Sequence, residues 1–185
     1  MENYVNPSGE FTPEEKMYDQ YIRNHIKNVK DAFDERAMML QRVLGLSHAE
    51  MEELIGRVEA HDQSKFSNEE FPAYQRYFYP AAGESKDDSG FAEAWAHHYT
   101  VNDHHPEHWV VNNIPQPMSK TAIAEMLLDW EAMSYNFGGN PRQYFRDSKK
   151  SIGLHPETNQ IVVRALNILY NEDDNLKKYR PPILG

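Results

Sequence analysis

Three tetrads of the capping-box type set the character of this chain: Thr12-Pro13-Glu14-Glu15, Ser47-His48-Ala49-Glu50 and Ser67-Asn68-Glu69-Glu70. In each, a hydroxyl can accept from the backbone three residues on, and the carboxylate there can reach back, so two orphan donors of a helix start are satisfied together. Apolar residues recur at helical period behind each one: Tyr18, Tyr21, Ile22, Val29, Ala32 and Phe33; then Met51, Leu54, Ile55 and Val58; then Phe71, Tyr74 and Phe78. A fourth helix is predicted over roughly Phe91 to His104, because Pro106 disfavours helical geometry at His105. Ser119 caps a fifth through Met133, stopped by Gly138-Gly139, and Asn140-Pro141 opens a short basic helix to about Lys150. Thr158 to Tyr170 forms the last, while Ala81–Gly90 and Val110–Pro117 read as loops. No alternating run of strand length and no internal repeat interrupts this pattern. The expectation is an all-α fold, a single-domain helical bundle of six or seven helices over 13–175, with an N-terminal arm (1–12) and a C-terminal tail (176–185).

Composition narrows the chemistry. With 29 acidic and 19 basic residues the net charge is −10, which argues against a nucleic-acid polymer or an anionic membrane as partner. No stretch approaches the ~18 apolar residues of a membrane span, and the first residues lack a signal-peptide pattern, so a cytoplasmic location is expected. There is no cysteine, which excludes disulfides, thiolate metal sites and cysteine nucleophiles. Any metal must therefore be held by His, Asp or Glu. Nine histidines are present, and five of them fall between His97 and His108.

The apolar stripes carry polar residues where none is needed. His25 lies between Ile22 and Val29. His61 and Asp62 follow Val58 at the next inward positions. His98, Asn102 and His105 continue the stripe of Phe91, Ala94 and Trp95. Asp129 sits beside Trp130, with Glu125 one turn earlier. A single inward histidine is usually a hydrogen-bonded core residue, but a buried imidazole or carboxylate without a partner is costly, and four helices each aim one inward. Imidazoles and carboxylates converging from several helices suit one or two divalent ions, with Mn, Fe, Mg, Zn, Co and Ni all compatible with the donors.

An inward His25, then His61-Asp62, then the run His97-His98-Tyr99-Thr100-Val101-Asn102-Asp103-His104-His105, then Asp129, resembles the HD superfamily of metal-dependent phosphohydrolases. His61-Asp62-Gln63-Ser64-Lys65 is similar to the HD-x-x-K form found in that superfamily. The chain also resembles an uncharacterised phage and bacterial group with HDxSKF and HHxxxNxHHPE motifs. The resemblance runs from His25 to Asp129. It implies an HD-like helical domain in which His25, His61, Asp62 and Asp129 hold one ion and histidines of the middle segment complete a second site. Helical phase favours His98 and His105 for that role, with His104 as a further candidate, and Asp62 would bridge two ions.

On that resemblance the expected activity is hydrolysis of a small phosphorylated substrate, a nucleotide in particular, by metal-activated water. Asp62, Lys65 and Glu125 are the candidate catalytic residues. Lys65, one turn after His61, is either a phosphate contact or a solvated helix-end lysine. Glu125 is either a base or a partner that orients a histidine, and the second role is favoured. Arg142 and Arg146, with Lys149 and Lys150, share one helical face and are a candidate phosphate clamp, although a solvated charged face is the commoner arrangement. Two alternatives carry the same ligands: an HD-fold di-iron oxygenase, and a non-catalytic protein whose metal stabilises an interaction domain. Homodimerisation is an expected association, as in other helical proteins of that superfamily.

Overall fold

The computed structural model describes residues 2–148 and 152–170. Among them are seven α-helices: α1 (Pro13–Leu44), α2 (His48–Ala60), α3 (Phe71–Phe78), α4 (Asp88–Val101), α5 (Lys120–Phe137), α6 (Pro141–Ser148) and α7 (Pro156–Leu169). Two 3₁₀ turns, Gln63–Phe66 and Pro106–Trp109, and a small hairpin of β1 (Val110–Val111) and β2 (Ile114–Pro115) complete the described chain. The hairpin pairs Val111 with Ile114, and Asn112 and Asn113 both take positive φ, as a two-residue turn of this hand requires. The fold is all-α, as the capping pattern predicts. The tail 176–185, and Lys149 and Lys150 of the basic face, lie outside the described residues.

The chain forms two compact units. The first comprises the described residues of Met1–Ile26 and Asp62–Asn102, and the second those of Lys27–His61 and Asp103–Gly185. Each has its own core. In the first unit Tyr18, Ile22 and Ile26 of α1 pack with Phe71, Ala73 and Tyr74 of α3 and Ala94 of α4. At roughly 1.5–3 kcal/mol for each large apolar side chain fully buried, this small cluster is a substantial share of the first unit's stability. The N-terminal arm belongs to this unit. Tyr4 N–H donates to the Phe66 carbonyl at 2.7 Å, and the Tyr4 ring stacks on Phe71 with centroids 4.9 Å apart. Its hydroxyl donates to Glu15 at 2.6 Å, and Thr12 and Glu15 exchange the two bonds of a capping box.

The second unit is built around α5, which is buried nearly all round, from Thr121 to Tyr135. Val29, Ala32 and Leu40 of α1, Leu54 and Val58 of α2, and Val162, Ala165 and Leu166 of α7 pack in the same cluster. Ser47 and Glu50 form the second capping box in full. Two of the buried residues of α5 are glutamates, Glu125 and Glu131, and each is answered by an arginine: Arg57 from α2 and Arg36 from α1.

Several boundaries differ from expectation for local reasons. α4 starts at Asp88, within the predicted 81–90 loop, because the Asp87 carboxylate accepts from Gly90 N–H and caps the helix. It stops at Val101 and not near His104, because Asn102 turns its amide back onto the His98 carbonyl at 2.8 Å. α5 runs four residues beyond Met133, to Phe137, and ends at Gly138 with φ +77°. Ile55, expected on an inward stripe, is exposed.

Candidate metal centre

In the first unit the centre of interest is Asp62, which opens the 3₁₀ turn Gln63–Phe66. His61 and Asp62 do not extend α2. The helix ends at Ala60, and Asp62 adopts a left-handed conformation with φ +56°. A non-glycine residue there costs roughly 1 kcal/mol, although Asp tolerates it better than most. The turn aims a carboxylate that is only 1% exposed. Asp62 Oδ2 lies 3.4 Å from His25 Nε2, and Oδ1 lies 3.3 Å from His98 Nε2. Two donors about 2.1 Å from one ion, at angles of about 90–109°, are themselves about 3.0–3.4 Å apart. The observed spacings are those of co-ligands. The ammonium of Lys65 sits 2.6 Å from Oδ2, so Lys65 pairs with this carboxylate.

Behind His98 stands Glu70, fully buried. Its Oε2 takes His98 Nδ1 and its Oε1 takes His97 Nδ1, both at 2.8 Å. A carboxylate accepts, so it favours a proton on Nδ1 and turns Nε2 of His98 towards Asp62. Burial by itself would lower the His98 imidazole. The carboxylates of Asp62 and Glu70 outweigh burial and hold it above the ordinary histidine value when no ion is present. Sequence reasoning missed Glu70. It stands at the fourth position of a capping box, yet as the residue before α3 it makes no side-chain cap. His97 is the more exposed of the pair, and His98 the inward one, as helical phase predicts.

The second unit repeats this logic. Glu125 Oε1 takes His61 Nδ1 at 2.8 Å and faces His104 Nδ1 at 3.2 Å. One donor atom from each of the three residues falls within 4.8 Å of the other two. With Nδ1 committed, Nε2 is the nitrogen left for an ion, and His61 Nε2 lies 3.9 Å from Asp129 Oδ1. Glu125 thus lies against both imidazoles, an arrangement able to orient them. His104, a further candidate off the phase of His98 and His105, is buried, and α4 has already ended at Val101. His105 is half-buried, its ring centroid 4.1 Å from that of His104. On α6, Arg146 is exposed and pairs with Asp147 at 3.6 Å, and Arg142 is half-buried. That helix packs Tyr144 and Phe145 on Trp130, the neighbour of Asp129. The aromatic residues after the His-Asp turn serve packing: Tyr74 is buried against Tyr18 and Phe91.

Burial would raise the Glu125 carboxyl, but hydrogen bonds from His104 and His61 outweigh it and hold the group at about 2, against an ordinary value of 4.5. A depressed carboxyl contributes stability above its unfolded value and loses it as pH falls through the folded one. In the ion-free protein roughly 3 kcal/mol should therefore vanish between about pH 4.5 and pH 2. Urea melts across that range should show the loss in the wild type and a flatter profile in Glu125→Gln.

Among the described residues, no helix is long and apolar enough to cross a membrane. A search of curated proteins finds no match, and neither does a search of solved structures. A family model does match, over residues 14–168, and by that match the chain belongs to the family of unknown function DUF5662.

Proposed function

We propose that this protein is a metal-dependent phosphohydrolase acting on a small phosphorylated substrate, a nucleotide in the first instance. The observation that carries the reading is the Asp62 carboxylate. Its two oxygens face His25 and His98 at co-ligand spacing, and the Lys65 ammonium lies beside it. Asp62 would hold an ion together with His25 or His98, and His61, Asp129 and His104 are candidate ligands in the second unit. The all-nitrogen-and-oxygen donor set fits Mn, Fe, Mg, Zn, Co or Ni. Bound there, such an ion supplies Lewis acidity and brings the pKa of water towards neutrality.

The chain's own residues supply the rest. Glu70 and Glu125 fix the proton of each imidazole on Nδ1 and so keep Nε2 for ligation. Lys65 offers a compact positive charge to a phosphoryl oxygen. Arg142 and Arg146, on the helix that packs beside Asp129, would pair with the phosphates of an incoming substrate. The acidic remainder of the surface favours a small ligand over a polymer.

The test begins with elemental analysis of protein purified without chelators. It continues with phosphate release from a panel of nucleotides in Mn, Co or Mg. Turnover should be lost in His61→Ala and in Asp62→Ala. Asp129→Ala should lower the metal content while the domain stays folded at room temperature, and unchanged metal in that variant would remove Asp129 from the ligand set. Two irons with oxygen-dependent turnover would overturn the hydrolase reading.

A further inference from the structure

Glu125 divides its two oxygens. Oε1 serves the imidazoles of His61 and His104, and Oε2 lies 2.9 Å from Nε of Arg57 on α2. The far side of the same guanidinium grips Asp103: one terminal nitrogen is 3.3 Å from Oδ2, and the other makes a closer contact with Oδ1. Asp103 directly precedes His104, and its carbonyl accepts from the Trp109 indole at 2.6 Å. Glu53 lies 3.6 Å from the same guanidinium. A single side chain therefore fastens both the carboxylate that orients two histidines and the backbone that carries one of them. Only a planar fork can address two carboxylates along two edges at once, and a lysine ammonium cannot.

We propose that Arg57 is a positioning residue that locks Glu125 with Oε1 towards both His61 and His104, thereby fixing the Nδ1-protonated tautomer of each. This rests on the reading that those imidazoles present Nε2 to an ion. The residue acts through Glu125 and touches neither ion nor substrate. A role confined to stapling α2 to α5 would stabilise the unit without influencing either ring.

The full chain, as wild type, Arg57→Lys and Arg57→Met, separates the two. Nitrogen-15 NMR of the histidine side chains, taken without metal and above the histidine titration range, reads the tautomers of His61 and His104. Cobalt titration followed by visible absorbance reads ion binding. The wild type should show the Nδ1–H form at both positions. Arg57→Met should mix the tautomers and weaken cobalt binding by about 10–100-fold, with Arg57→Lys intermediate. Tautomers and cobalt affinity unchanged in Arg57→Met would overturn the proposal. Should that variant fail to fold, the same two readouts on Arg57→Lys decide: an unchanged pair overturns it and a shifted pair upholds it. A wild type that binds no cobalt, but whose tautomers still depend on Arg57, would uphold the positioning role while the hydrolase reading falls.

Discussion

Asp62→Asn should cost the protein its ion while leaving its backbone where it is. Asparagine matches aspartate in shape and is among the few residues that accept the left-handed conformation found at position 62, where φ is +56°. What it removes is the negative charge that faces His25 and His98 at 3.4 and 3.3 Å and Lys65 at 2.6 Å. A neutral amide oxygen is a far poorer ligand for a divalent ion, and the nearby ammonium then repels the cation without compensation. Affinity should fall by at least about 100-fold, and the proposed phosphohydrolase activity should become undetectable. Asp62→Ala should lose the ion equally and in addition cost roughly 1 kcal/mol, since alanine resists positive φ. Isothermal titration with manganese or zinc, alongside urea melts of the ion-free variants, separates the two effects. Metal content equal to the wild type in Asp62→Asn would remove this residue from the centre of the site.

The architecture was legible because its signals are local. Thr12 with Glu15, and Ser47 with Glu50, cap as their spacing predicts, and the stripes behind them, Ile55 excepted, are buried or half-buried faces of α1 and α2. The inward phase of His25, His98 and Asp129 followed from the same periodicity. Beyond that, tertiary contacts override local rules. Glu70 was hidden by its own capping-box spacing, since only the folded first unit turns its carboxylate onto two imidazoles. His104 ranked behind His98 and His105 because helical phase was carried three residues past Val101, where a side-chain amide had already ended α4. The left-handed turn at Asp62 has no local sequence signal either, because no glycine marks it. Arg57 carries no local sequence signal, because the carboxylates it meets, Asp103 and Glu125, are remote in sequence. The separate core of the first unit was equally invisible, because the stripe of α1 runs on through both.

Arg36→Met should destabilise the second unit strongly. Glu131, 2% exposed at its side chain, sits in the middle of α5 and meets Arg36 Nε at 3.1 Å from each of its oxygens. The same guanidinium donates to the Leu169 carbonyl at the end of α7 and lies over the Tyr170 ring, 5.0 Å from its centroid. Tyr170 in turn donates its hydroxyl to Glu131 at 2.7 Å. One ion pair thus joins α1, α5 and the end of α7. Methionine can fill much of the arginine stem's volume, so the apolar packing is largely kept. The carboxylate is left with hydroxyl donors alone, and breaking a buried pair by removing one partner typically costs about 3–5 kcal/mol. Adding Glu131→Gln should recover part of that loss, because the glutamine still accepts from Tyr170 and no longer carries a buried charge. Urea denaturation of the wild type, the two single variants and the double variant measures the coupling directly. If the double variant is as unstable as the sum of the singles, the pair contributes no specific interaction, and the cost of Arg36→Met is lost packing.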